Sequence, residues 1–320
     1  SVSLEPFFYS KTYIHSPTQL KLTKLKILIT GASGLLGSKV AEVAVKKGFE
    51  VYSCYSTHEV NFGNPLKLNI LDFNSVLSTI EQINPNFVVH AAALTDVDLC
   101  EKEKNLAFNV NVLGTKNVVE ACKRVNAHLV YISTDYVFSG EKGYYREQDE
   151  TNPLNYYGFT KLEGEKIVKS SGLSYLIARA SVVYGSRPAA GKVNFALWAL
   201  EKLKKGEVVK AVSDQFVSPT LNTNLAEMLL EAVERNLTGV YHMSGATRVS
   251  RFEFVVKLAK IFNLELSLVK AVSMKDLKWV AKRPRDSSLN VDKAKSLLKN
   301  KPLEVDEAIK RLKLEVEENA

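Results

Sequence analysis

The chain has 320 residues, 46% hydrophobic and 24% charged, enough apolar material for one large core or two interlocked ones and ordinary for a globular protein in water. Its formal charge of +8 comes from Lys spread along the chain; this reads as a solvated surface, with a phosphate pocket as the sharper alternative, and no zinc-finger or RNP-like motif points to nucleic acid. Cys54, Cys100 and Cys122 are too scattered for a disulfide framework or a metal site, and no apolar run reaches the roughly 18 residues of a membrane span, so a cytoplasmic protein without a metal is expected.

Residues 1–24 lack the apolar core and cleavage site of a signal peptide and read as an N-terminal extension, either a tail or an arm that packs on a neighbouring subunit. Leu25–Thr30 is an apolar strand, followed by Gly31-Ala32-Ser33-Gly34-Leu35-Leu36-Gly37 and an amphipathic helix that stops at Gly48. Gly31 permits the tight turn, Gly34 lets a pyrophosphate approach the backbone, and Gly37 permits close helix–strand packing. The helix N-terminus beyond them offers N–H donors to phosphates. Strand, glycine turn and helix in that order point to a dinucleotide.

Glu50–Cys54 is the second strand. An acid at its end would grip the ribose hydroxyls of NAD. The segment instead reads Cys54-Tyr55-Ser56-Thr57-His58, which leans towards the 2′-phosphate of NADP although no Arg stands nearby. A third strand is expected over Leu66–Ile70, then a helix from Phe73 to Ile83 capped by Asp72. The fourth strand, Phe87–His90, ends in Ala91, Ala92 and Ala93, small enough for a cofactor to lie against the sheet; His90 reads as a structural hydrogen-bonder. Residues 96–125 form a helix pair in which Asn109 and Asn111 interrupt an apolar stripe, one of them placed to bond backbone near the site.

The fifth strand, Leu129–Ile132, ends in Ser133, Thr134 and Asp135. After Asn152-Pro153 a helix opens near Tyr156, so Tyr157 and Lys161 share one face. A cation beside a phenol favours the phenolate and lowers a pKa that starts near about 10. Among 13 Tyr such a spacing arises by chance, so its setting has to carry the reading. Ser174–Ala178 is the sixth strand. Alternating strands and helices imply an α/β fold with a Rossmann-like, doubly wound parallel sheet. Ligands bind beyond the carboxyl ends of such strands, where Gly31–Gly37, Ala91–Ala93, Ser133–Asp135 and Ser181–Tyr184 all fall.

Beyond Gly185 the rhythm changes: a Gly/Pro loop to Lys192, a helix over 194–205, a strand over 208–212, a polar irregular stretch 213–220, a helix to Arg235, a strand over 239–243 and a helix over 251–262. This division predicts a dinucleotide domain over 25–185, joined by parts of 208–243, and a smaller, discontinuous substrate lobe from 186–207 and 244–320.

Residues 25–313 resemble the extended short-chain dehydrogenase/reductase superfamily. The motifs Ala91–Glu101, Ile132–Phe138, Asn152–Glu165, Asp214–Thr220 and Arg283–Lys293 resemble its dTDP-4-dehydrorhamnose reductase branch, which also holds the regulatory β subunit of methionine adenosyltransferase. The resemblance implies NADPH or NADH as cofactor, a nucleotide-sugar substrate and a 4-keto group as the reacting centre. A homodimer is one assembly open to it. It implies Tyr157 as the general acid, Lys161 as holder of the nicotinamide ribose and tuner of the phenol, and Thr134 as hydrogen-bond partner of the reacting carbonyl. The cofactor set it implies is Gly31, Gly34, Leu35, Leu36, Gly37, Ser56, Asn69, Ile70, Ala91, Ala92, Ala93, Thr95, Ser133, Tyr157 and Lys161. Thr134, Asp135, Tyr157, Gln215 and Pro219 fall in its substrate-facing motifs. Val182 stands where the bacterial reductases commonly carry an aromatic, Arg187–Phe195 keeps only part of the pattern, and Asn69 stands where Asp is usual; the first two lie on the expected substrate wall. A binding subunit and a sugar-nucleotide epimerase or dehydratase are the alternatives. A dehydratase needs a second acid after Asp135, and Tyr136 stands there.

Overall fold

The computed structural model describes residues 24–320, so the extension expected over 1–24 lies outside the described residues, Lys24 apart. The first half of the chain runs β1 (Lys26–Thr30), α1 (Leu35–Lys46), β2 (Glu50–Tyr55), β3 (Asn64–Lys67), α2 (Phe73–Ile83), β4 (Phe87–His90), α3 (Val97–Lys102), α4 (Lys104–Phe108), α5 (Gly114–Val125), β5 (His128–Thr134), α6 (Tyr156–Lys169) and β6 (Tyr175–Ala180). The second half runs β7 (Val183–Tyr184), α7 (Phe195–Lys204), β8 (Val209–Val212), β9 (Phe216–Val217), β10 (Thr220–Leu221), α8 (Asn222–Glu234), β11 (Gly239–His242), β12 (Val249–Ser250), α9 (Arg251–Ile261), β13 (Val269–Val272), α10 (Asp292–Leu297) and α11 (Val305–Glu318).

Seven strands form one sheet in the order β11-β6-β5-β4-β1-β2-β3, every neighbouring pair parallel. The order reverses between β1 and β4, so the glycine turn after β1 opens at the switch point, where doubly wound sheets leave a crevice. Side chains of β1 alternate between two cores: Ile27 and Ile29 pack with α1 and α8, Leu28 with α2 and α5. Both faces are therefore dry, which is why these strands read as continuous apolar runs. A third core joins α7, α9 and α11, beside which β8 pairs with β13 outside the main sheet.

Two local expectations shift. The third strand is Asn64–Lys67, not Leu66–Ile70, and it pairs only with β2. It is the exposed edge, where Pro65 can face away from the ladder, and Leu68–Ile70 leave it to line the crevice. The helix pair is three segments, with a π-helical turn over Asn109–Leu113 between α4 and α5. Asn111 is buried there; its side-chain oxygen accepts from Leu94 N–H at 2.8 Å, and its amide donates to the Leu94 carbonyl at 3.1 Å and to Thr160 Oγ1 at 3.0 Å. It thus fixes the Ala93–Thr95 loop against α6. The three Cys are free and buried.

Candidate active site

The crevice begins at Gly31, whose φ of 66° is left-handed and favours glycine. A Cβ there would also come within 2.6 Å of the Ala92 nitrogen. Gly34 caps α1 without a side-chain bond, and the first turn holds no acid. The N–H groups of that turn and the positive end of α1 thus face the crevice, an arrangement that fits a pyrophosphate. His90 sits behind the turn, bonded to Thr30 Oγ1 at 2.7 Å and Thr115 Oγ1 at 3.0 Å. Burial, with the Lys161 charge behind it, takes His90 down to about 3, so it stays neutral. This is the structural role expected of it.

One cavity of about 730 Å³ runs along this edge. Its lining includes the glycine turn, Ser56 to His58, Leu68 to Leu71, Ala91 to Ala93 and Thr95, and on the other side Ser133, Thr134, Asp135 and Tyr157. That is a volume for a cofactor together with a small ligand. Among residues implied by the resemblance, Lys161, Gln215 and Pro219 do not line it. Gln215 is wholly buried behind the wall and donates to Tyr136 Oη and the Pro284 carbonyl, both at 3.4 Å.

Tyr157 reaches the cavity because α6 comes very close to the end of β5. Asn155 caps the helix by accepting from Gly158 N–H at 2.9 Å, and a Cβ on Gly158 would stand 2.1 Å from the Tyr136 carbonyl oxygen. The Tyr157 ring packs edge-on to Tyr136, centroids 6.2 Å apart. Burial pushes the phenol well above its ordinary value; the Thr134 hydroxyl opposes this and the Asp135 charge adds to it. Desolvation governs the phenol, and Lys161, expected to lower it, is not among the groups that shift it. Lys161 is buried, its ammonium 4.3 Å over the Tyr131 ring. Burial pulls it down to about 7, with the nearby Glu165 pulling up.

Thr134 donates to Asp135 Oδ1 at 3.1 Å and accepts from Tyr136 N–H at 3.1 Å. Asp135 Oδ2 accepts from Ser181 at 3.0 Å and from Ser287. Burial holds the Asp135 carboxyl up at about 6 despite these bonds. Ser133 donates to Glu165 at 2.6 Å, and Glu165 forms a fully buried pair with Arg179 at 2.8 Å. Val182 lines the cavity with φ 36°, an outlier for a β-branched residue and of the kind that clusters at functional sites.

The lining also contains members of the Arg187–Phe195 stretch expected on the substrate wall, together with Arg251, which no sequence motif marks. Ala189, Ala190 and Lys192 come from the loop after β7, Phe195 from α7 and Arg251 from the start of α9. Arg251 donates to Gln215 at 3.3 Å and lies 5.1 Å over the Phe195 ring. No local pattern marks Arg251, because only tertiary packing brings it to the crevice. Among the described residues no cluster of His, Cys, Asp and Glu could hold a metal.

A parallel sheet with a glycine turn at its switch point, and a Tyr/Lys helix beside the neighbouring strand end, define the short-chain dehydrogenase/reductase class in its extended form. Within that class the chain belongs to the family described as RmlD substrate binding domain, which matches residues 25–317. It is 32% identical over 300 residues to a dTDP-4-dehydrorhamnose reductase of Aggregatibacter actinomycetemcomitans, covering 90% of this chain and 98% of that one. It is 30% identical over 287 residues to methionine adenosyltransferase 2 subunit beta of Bos taurus, covering 87% and 84%. The crystal structure of dTDP-4-dehydrorhamnose reductase from Bacillus anthracis in complex with NADP matches with a TM-score of 0.82 at 32% identity, over 91% of this chain and 99% of that one.

Proposed function

We propose that this protein reduces the 4-keto group of a 6-deoxy nucleotide sugar with NADPH or NADH, dTDP-4-dehydrorhamnose being the substrate to try first. The observation that carries the reading is one cavity lined both by the phosphate-cradling turn after β1 and by Thr134 and Tyr157, in a chain that matches a reductase over nine-tenths of its length. The main sheet would hold the dinucleotide, and the separated segments after Gly185 would enclose the sugar.

A bound nicotinamide supplies the hydride. The remaining work falls to this chain. Negative charge grows on the carbonyl oxygen as hydride arrives, and Tyr157, held protonated by its burial, is the donor for it. The Thr134 hydroxyl favours the ionised phenol, and Asp135 accepts from Thr134 and so fixes it. Lys161, one turn along α6 from Tyr157, is the residue that the family resemblance assigns to the nicotinamide ribose, although its ammonium lies over the Tyr131 ring and outside the cavity lining. Mixing the protein with NADPH and dTDP-4-dehydrorhamnose tests this reading: sugar-dependent loss of NADPH with a new 4-hydroxyl in the product supports it, and no turnover removes it.

The match to a methionine adenosyltransferase subunit favours a second reading, a dinucleotide-binding regulatory subunit. Co-purification with a methionine adenosyltransferase and a change in that enzyme's kinetics would support it. A dehydratase is disfavoured: the Asp135 carboxylate is occupied by three hydroxyls and no second acid follows it.

A further inference from the structure

The end of β2 offers Ser56, Thr57 and His58, with neither an acid for a ribose diol nor a guanidinium for a 2′-phosphate. The fold brings a cation to this place from far along the chain. Ala189 and Lys192 close a two-residue hairpin, the amide of each bonded to the carbonyl of the other at 3.0 and 2.9 Å. The turn residues Ala190 and Gly191 are both left-handed, at φ 50° and 70°, as a tight primed turn requires. A left-handed Ala persists where its surroundings impose it.

The tip of the hairpin rests on His58: a Cβ on Gly191 would stand 3.6 Å from His58 Nε2. Its root is tied to the dinucleotide side. Arg187 pairs with Glu42 on α1 and lies 5.5 Å over the Phe62 ring. Lys192, next to the tip, lines the same cavity as Ser56, Thr57 and His58. The other cation in that lining, Arg251, is bonded to Gln215 beside Asp135, at the substrate end. Among the described residues no carboxylate forms an ion pair with Lys192, so its charge is available.

We propose that Lys192 together with Ser56, Thr57 and His58 forms a split site for the 2′-phosphate of NADPH, and that this site sets the preference for NADPH over NADH. The inference rests on the dinucleotide-dependent reading above and goes further by naming the residues that choose between the two dinucleotides. The hydroxyls and the imidazole donate to phosphate oxygens from one side, and the ammonium approaches from the other as a charge-assisted donor. Because the hairpin lies outside the β1–β6 stretch, the phosphate bridges two parts of the chain. NADH cannot make that bridge.

Calorimetric titration of the full chain with NADPH, NADH and 2′,5′-ADP tests this. Wild type is expected to bind NADPH on the order of 10-fold tighter than NADH, with added salt eroding the difference. Lys192→Met should weaken NADPH and 2′,5′-ADP by about 10-fold and NADH by less than about twofold, and Lys192→Arg should restore the preference. Equal weakening of both dinucleotides, an unchanged ratio in Lys192→Met, or tighter NADH binding by wild type would overturn the proposal while leaving the reductase reading standing. A wild type that binds neither dinucleotide would overturn both.

Discussion

Asp135 accepts hydrogen bonds from Thr134, Ser181 and Ser287, hydroxyls from three separate stretches of the chain. Its carboxyl is held up at about 6, chiefly by burial. A carboxyl raised above its unfolded value near about 3.9 binds its proton more tightly in the native state. Its contribution to stability is therefore full below about 4 and is lost as pH rises through about 6. Urea unfolding of wild type and Asp135→Asn at a series of pH values should show this component in wild type only; identical pH slopes would contradict it. Lys161 titrates from the opposite direction. Burial brings it to about 7, so its charge is lost as pH rises through neutrality. The kcat/KM of reduction should fall on the alkaline side of about 7, and Lys161→Arg, which keeps its charge, should move that limb to higher pH. That Thr134, Tyr157 and the glycine turn meet at one crevice could be read in the sequence, because each sits at the end of a clear strand or one helical turn from a partner. The lowering of Tyr157 expected from Lys161 is absent: the ammonium lies over the Tyr131 ring and burial governs the phenol, neither of which spacing along a helix reveals. Ser287 and Lys192 lie inside stretches named from the sequence, Arg283–Lys293 and Arg187–Phe195, with no mark of their own, and Arg251 reaches the crevice only through packing.

Helix α6 places the Tyr157 phenol in the cavity lining, and it can do so because two glycines let it approach β5. A Cβ on Gly158 would meet the Tyr136 carbonyl at 2.1 Å, and one on Gly164 would meet the Tyr131 hydroxyl at 2.0 Å. Gly158→Ala meets backbone that cannot swing aside, so a loss of about 2 kcal/mol or more is expected, together with a fall in turnover as Tyr157 is displaced. Thermal unfolding and steady-state rates measure the two effects, and an unchanged melting temperature would refute the close approach. At this scale the strands β1, β2, β4, β5 and β6 were legible to within one or two residues, because burial on both faces leaves continuous apolar runs. The two-residue strands β7, β9, β10 and β12 carry no periodicity to read. The place of β3 was set by which segment could reach the edge of β2, a matter of pairing rather than of composition.

The molecule is held together around the site by charge as well as by its apolar cores. Arg179 on β6 pairs with Glu165 on α6, donates to the Glu147 carbonyl at 3.3 Å and contacts His242 on β11. Both partners are fully buried, so Glu165→Gln would leave a guanidinium without its countercharge. The expected cost is about 3–5 kcal/mol, read from denaturant unfolding; a cost near zero would show that water reaches the pair. This network also carries Ser133, through Glu165, so the sheet edge that lines the crevice is braced from beneath. Across the whole chain, the doubly wound sheet was legible from its alternating elements, whereas the pairing of β8 with β13 outside that sheet was not, since both are short apolar runs with no mark of their partner. On the proposed function, Tyr157 delivers the proton in a dinucleotide-dependent reduction of a keto sugar. NADPH consumption in the presence of dTDP-4-dehydrorhamnose, compared between wild type and Tyr157→Phe with NADPH affinity measured alongside, tests it most directly. Wild type should consume NADPH only when the sugar is present, and the variant should be slower by about 100-fold or more with NADPH affinity kept. Wild type that binds NADPH without consuming it, or a variant as fast as wild type, would contradict it.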